Sequence, residues 1–182
     1  MNIIQSSVAY LISIPARARG MRFGRRSFIG PGYDWLNVRL KGIIIGDNVM
    51  IGRNAWLQID GNDLSSKISI GDGTNIGRNA TFLVKKGIVI GKKCLFSYGV
   101  SIMDHDHLFK ANISPMDSGL TAGEQIEIDD DCFIGARSFI LKGVKLGKHC
   151  VVGAGSIVTK SFPPYSVIVG SPARAIKSLK KA

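Results

Sequence analysis

The 182 residues suit one domain, with a core large enough to fold without disulfide staples. Hydrophobic residues make up 45% and the 22 Gly are spread along the chain, which excludes a disordered linker or a collagen. Lys and Arg outnumber Asp and Glu by 24 to 13, a formal charge of +11 that fits anionic partners.

From the N-terminus, residues 3–14 (IIQSSVAYLISI) are apolar but too short for a membrane span. No A-x-A-like cleavage site follows, so a signal peptide is not expected either. Residues 1–22 are read as an N-terminal segment carrying an amphipathic helix. Arg17, Arg19, Arg22, Arg25 and Arg26 cluster behind it. Such a pair of features can touch an anionic membrane surface, a peripheral contact, or cap the end of a fold. No helix-turn-helix, RNP-like or basic–aromatic segment accompanies the charge. Nucleic acid is therefore not the expected partner, and a polyphosphorylated cofactor or an anionic saccharide fits the charge about as well.

A six-residue phrase, an apolar residue followed by Gly or a small residue, dominates residues 23–162. Phe23 and Ile29 open the series, which loses phase near Pro31–Trp35 and resumes at Ile45, Ile51 and Leu57. It breaks at a 61–67 loop and returns at Ile70, Ile76 and Phe82. Two extra residues enter at Val84–Gly87, then Ile90, Phe96 and Ile102 follow. A long insertion at 103–125 precedes Ile128, Ile134, Ile140, Leu146, Val152 and Val158, six apart without a slip. A hexapeptide period is the signature of a parallel β-helix, in which three steps close one triangular coil and the apolar residue points inward. A sandwich would show strict alternation and hairpin turns instead. Cys94, Cys132 and Cys150 form no CxxC pair and read as small wall residues, not a disulfide framework or a zinc site. Residues 163–182 are a C-terminal extension, with Pro163-Pro164, Pro172 and a predicted helix from Ala173 to Lys181 covering the open edge.

The chemistry concentrates in SIMDHDHLF, where His105 and His107 lie between Asp104 and Asp106. A straight strand would send both histidines to one side and the aspartates to the other. A neutral imidazole can take a proton from an attacking hydroxyl or amine, which makes His107, at the mouth of the insertion, a candidate base. Asp104 or Asp106 is placed to orient that ring. Two imidazoles and a carboxylate can instead hold zinc, but no further ligand cluster accompanies them, so no metal is expected. His149 reads as a surface or stacking residue. Phosphate-loop, G-x-S-x-G and dinucleotide fingerprints are absent. The corners at Gly135-Ala136 and Gly153-Ala154 leave backbone N–H and C=O groups uncovered, suited to an extended amide ligand, with Lys142, Lys145, Lys148, Lys160 and Arg174 available to phosphates.

IGARSFILKGVKLGKHCVVGAGSIVTKSFPPYSVIVGSPARAIK, residues 134–177, resembles the terminal signature of the left-handed β-helix hexapeptide-repeat acyltransferases. Within them the chain is similar to the sugar and polysaccharide O-acetyltransferases, the branch of the maltose and nodulation-factor enzymes. The resemblance runs from Phe23 to Lys181 and implies the helix handedness, acetyl-CoA as co-substrate and a homotrimer with sites between neighbouring prisms. It places the catalytic histidine, which follows a GV-x-I strand, on His107, with His105 in reserve. It carries the acceptor-side asparagine to Asn79. The pantetheine path falls on Gly135, Ala136, Gly153 and Ala154, with Ser138 as a side contact and Lys160 and Arg174 near the nucleotide phosphates.

Three departures stand out: Phe133 where relatives often have Trp, Leu108 in place of the Pro of a T-H-P run, and an N-terminal segment, Met1 to Met21, closer to enzymes of surface-polysaccharide pathways. The expectation is a cytoplasmic O-acetyltransferase acting on a sugar or polysaccharide precursor, in contact with the inner face of the membrane if its N-terminal segment binds lipid. The alternatives are an N-acetyltransferase on an amino sugar or small amine, and an inactive trimeric scaffold.

Overall fold

The computed structural model describes residues 3–60, 63 and 65–180. Gly61, Asn62 and Leu64 of the expected 61–67 loop and Lys181 of the expected final helix lie outside the described residues. The chain winds into a parallel β-helix with three faces. The first face stacks Arg22–Phe23, Ile43–Ile45, Lys67–Ile70, Gly87–Ile90, Ile126–Ile128 and Lys145–Leu146. The second stacks Phe28–Ile29, Met50–Ile51, Asn75–Ile76, Leu95–Phe96, Phe133–Ile134, Val151–Val152 and Ser166–Gly170. The third stacks Trp56–Ile59, Thr81–Val84, Ser101–Met103, Phe139–Ile140 and Ile157–Val158.

Register follows the six-residue count. Ile29, Ile51, Ile76, Phe96, Ile134, Val152 and Ile168 pair in sequence up the second face, every one of them buried. Leu57, Phe82, Ile102, Ile140 and Val158 do the same on the third. Each fully buried isoleucine adds about 1.5–3 kcal/mol, and a single coil has no interior of its own until a neighbour stacks on it.

The glycine that follows Ile45, Ile51 or Ile76 is not where the chain takes its left-handed turn. That falls two residues later, at Asn48, Asn54 and Asn79, with φ of 56°, 57° and 58°. The glycine is required because the next coil occupies the place of a side chain: a Cβ on Gly135 would lie 2.5 Å from the Ala154 nitrogen. Between the first and second faces, Thr74, Cys94, Cys132 and Cys150 occupy equivalent buried positions. Thr74 Oγ1 donates to the Gly91 carbonyl at 2.9 Å, and the thiols of Cys94, Cys132 and Cys150 to those of Asp129, Gly147 and Pro163 at 3.1, 3.3 and 3.3 Å. The cysteines are wall residues, and their thiols serve to tie coil to coil.

Each end carries a covering element. A helix, Ile3–Ala18, covers the N-terminal end. The Tyr33 hydroxyl holds it, donating to the Ile12 carbonyl at 2.9 Å and accepting from the Ala16 amide at 3.2 Å. At the other end the expected C-terminal helix is absent. Ala173–Ser178 is a strand, paired antiparallel with Ser166–Gly170. An open strand edge offers a full row of hydrogen-bond partners, and pairing with it overrides the weak helical preference of a short segment.

Candidate active site

The third corner, between the third and first faces, carries the insertion. The strand Ser101–Met103 ends one residue before Asp104, so the expected alternation fails. Asp104 and His105 are both buried, while Asp106 and His107 are both exposed.

The two extra residues of the preceding coil make a corner, Lys85-Lys86-Gly87, whose amides turn inward. Asp104 satisfies all three, accepting from Lys85 at 2.8 Å and from Lys86 and Gly87 at 2.7 Å each. Its Oδ1 also meets His105 Nδ1 at 2.8 Å. The other ring nitrogen of His105, Nε2, lies 3.5 Å from Asp60 Oδ2. His105 is therefore wedged between two carboxylates, with 6% of its side chain exposed. Asp104 orients His105, and Asp106 is engaged elsewhere, in an ion pair with Lys142 at 2.8 Å. Neither aspartate orients His107, which corrects that part of the sequence reading.

His107 sits at the neck of the insertion, opposite Leu120 in a two-residue antiparallel bridge. The neck is fixed by Leu108 N–H to the Gly119 carbonyl and Thr121 N–H to the Asp106 carbonyl, 2.8 Å each. Lys85 Nζ donates across it to the Thr121 carbonyl at 2.8 Å. The backbone of His107 is held, yet among the described residues neither of its ring nitrogens has a partner. A rigid backbone beneath an open imidazole is the geometry a proton acceptor needs.

The second corner, between the second and third faces, holds Gly135, Ala136, Gly153 and Ala154 on successive coils. At the first corner the equivalent amides are capped by aspartates one coil along: Arg25 N–H by Asp47 at 2.7 Å, Asp47 N–H by Asp72 at 2.9 Å, Lys92 N–H by Asp130 at 2.6 Å. At the second corner the residue one coil beyond Ala136 is Ala154, which has no side-chain acceptor to offer. Arg78 and Arg137 stack over Tyr98 on the same corner, at 5.7 and 5.6 Å. Uncapped amides beside two guanidiniums fit an extended, amide-bearing, anionic ligand.

Ser138 does not join that set. It is fully buried, and its hydroxyl faces inward to the Gly135 and Gly153 carbonyls at 2.8 and 3.0 Å. Asn79 is exposed on the second corner, accepting from Asn54 Nδ2 at 3.2 Å. The width of the third face separates it from His107. Lys160 is exposed over the Phe162 ring, and Arg174 projects from the final strand with Nη1 on the Ala173 carbonyl at 3.0 Å. His149 stacks on Tyr165 with ring centres 5.0 Å apart, as expected of a stacking residue.

Asp60 was missed in the sequence. Nothing local marks it, and only counting coils puts it on the same corner as His105. No group of three or more His, Cys, Asp or Glu among the described residues is arranged to hold a metal ion.

A family model described as the hexapeptide repeat of succinyl-transferase matches residues 42–61, 67–103 and 125–160, more than half of the chain. A Schizosaccharomyces pombe protein provisionally named an acetyltransferase is 38% identical over 102 residues, 55% of this chain and 47% of that protein. The match thus spans about half the length of that relative. Among solved structures, AntD, an N-acyltransferase from Bacillus cereus in complex with dTDP and coenzyme A, superimposes with a TM-score of 0.72. It is 24% identical over 90% of this chain and 88% of its own. A maltose O-acetyltransferase from Clostridium difficile gives 0.53 at 22% identity, over 99% and 90%. At these identities the two structures bear on the fold, a left-handed parallel β-helix.

Proposed function

The chain belongs to the family that carries the hexapeptide repeat of succinyl-transferases, and from that premise we propose that it transfers an acetyl group from acetyl-CoA to a hydroxyl of a sugar or polysaccharide precursor. The observation that carries this reading is His107, an open imidazole on a fixed backbone beside a buried His105 whose Nδ1 is bonded to Asp104 and whose Nε2 lies 3.5 Å from Asp60. A sugar hydroxyl is a poor nucleophile near neutral pH and needs such a base. His107 takes the hydroxyl proton as that oxygen attacks the thioester carbonyl, and delivers it to the sulfur as the C–S bond breaks. Transfer is direct: all three cysteines are at most 1% exposed with their thiols turned to backbone carbonyls, so no thiol nucleophile faces the surface.

The uncapped amides of Ala136 and Ala154 would hold the pantetheine arm beside Gly135 and Gly153, with Lys160 and Arg174 toward the phosphates. In one chain this corner and His107 are a face apart. That separation supports a homotrimer in which the third corner of one copy meets the second corner of the next. Met50, Leu95 and Phe133 on the second face and Trp56 and Phe139 on the third face outward, 38–48% exposed, and supply apolar surface for the contact. An acetyl-CoA donor supports a cytoplasmic reaction.

The test is thiol release from acetyl-CoA with a panel of sugars, with and without His107→Ala. Turnover in that variant within threefold of the parent would sink the assignment. A second reading is N-acetylation of an amino sugar, because the same open imidazole can take a proton from an attacking amine. Amino sugars in the same panel decide between the two. Normal folding with no turnover on any acceptor would favour a scaffold.

A further inference from the structure

The N-terminal helix is built the wrong way round for one that faces water. Among its described side chains the fully covered ones, Ser13 and Ala16, are small, and Ile12 is half-buried against the core. Its outer side is large and apolar: Val8, Tyr10, Leu11 and Ile14 are 51%, 56%, 61% and 45% exposed. A surface helix normally carries charge there. This one holds no acidic residue, and its first basic side chain is Arg17. Trp35 and Leu36, just past the Tyr33 that anchors the helix, are exposed as well.

Positive charge surrounds the stripe. Through residue 47 the chain has six Arg and one Lys against two acidic residues, Asp34 and Asp47, the latter paired with Arg25 at 2.9 Å. A cavity of about 740 Å³ opens between the helix and the first corner, lined by Tyr10, Arg17, Phe23, Arg25, Arg26 and Phe28. The Arg17 guanidinium stacks 4.4 Å over Phe23 and 5.1 Å over Tyr10, and its buried Nε has no partner among the described residues. On its other side a cavity of about 510 Å³ is lined by Arg22, Arg39 and Lys41.

We propose that this end of the prism docks on an anionic lipid bilayer. The stripe lies in the plane of the interface while the guanidiniums around both cavities meet lipid phosphates. No described helix is long and apolar enough to cross a membrane, so the contact is peripheral. Apolar surface alone would suit a protein partner and positive charge alone a soluble anion; a bilayer of acidic lipids takes both at once. The inference rests on the helix and its charges, not on the catalytic reading.

The experiment is co-sedimentation of the full chain with vesicles of phosphatidylcholine, alone or with about a third phosphatidylglycerol, at low and high salt. Binding is expected on the anionic vesicles, at least tenfold stronger than on the neutral ones, and weakened by salt. Leu11→Glu with Ile14→Glu, and separately Arg22→Glu with Arg26→Glu, should each lower it by about tenfold or more, with circular dichroism unchanged. The two pairs probe different chemistry, so the test survives if one of them fails to fold. Absence of binding, equal partition onto both vesicle types, or full binding by the folded variants would overturn the proposal. So would a Leu11/Ile14 variant that changes particle size in solution while the parent ignores vesicles, which would assign the stripe to a contact between copies.

Discussion

Replacing Asp104 by Ala removes the acceptor of three backbone amides and the partner of His105 Nδ1, all at 2.7–2.8 Å around a carboxylate with no exposed surface. Each buried donor left unsatisfied costs about 1–3 kcal/mol, and water entering the vacated space recovers part of that. A net loss of about 4 kcal/mol remains, a large fraction of the ~5–15 kcal/mol that holds most domains folded. With a urea dependence of about 2 kcal/mol per molar, the unfolding midpoint should fall by about 2 M. Asp104→Asn keeps one acceptor but turns an amide toward the backbone N–H groups, and should fall between parent and Ala. Asp106→Ala is the control. Its ion pair with Lys142 is half exposed, and its loss should cost less than about 1 kcal/mol. All variants are compared at one protein concentration, because assembly adds to apparent stability. If Asp104→Ala unfolds no earlier than Asp106→Ala, the carboxylate does not organise this corner and the account of the insertion is wrong.

The two histidines should separate in the same way. His107→Ala is expected to lose about 10²–10⁴-fold in kcat with an unchanged melting temperature, whereas His105→Ala should lower the melting temperature; steady-state kinetics beside calorimetry tells them apart, and the reverse pattern exchanges their roles. Gly135→Ala should be far more damaging than Gly155→Ala. The first methyl meets backbone at 2.5 Å, while the second finds nothing within 4 Å and suffers only a φ of +67°, about 1 kcal/mol of strain. Equal urea midpoints would refute that ranking. Acid should unpick the first corner. The Arg25 amide and then its guanidinium hold the Asp47 carboxyl below the ordinary 3.8, and the Asp47 amide and then Lys92 do the same for Asp72. A depressed carboxyl adds stability that is complete above its unfolded value and lost as pH falls through the folded one. The melting temperature of the parent should therefore drop more steeply below about pH 4 than that of Asp47→Asn/Asp72→Asn, and parallel curves would argue against the ladder.

The wall was legible in the sequence because burial alone sets it. From Ile29 onward every counted position, from Ile45 to Val158, is buried where six-residue spacing put it. What sequence could not give were features decided by another coil. Ser138 has the surroundings of a surface corner residue in one dimension, yet its hydroxyl is captured by a carbonyl of its own coil and another of the next. Asp104 and His105 broke alternation because the strand ended at Met103, where partners on Lys85–Gly87 and Asp60 pulled both side chains inward. The final strand was set by an open edge that no local propensity reports.

That last strand has a consequence for the molecule as a material. A stack with a single repeat has no intrinsic length, and a bare parallel rim would accept the coil of a second molecule as readily as its own. Reversing polarity over Ala173–Ser178 spoils the template at one pole, and the helix on Tyr33 blocks the other. These two features interrupt the repeat at its poles, and a chain cut before Ser171 would expose the Ser166–Gly170 edge to pairing with a second molecule.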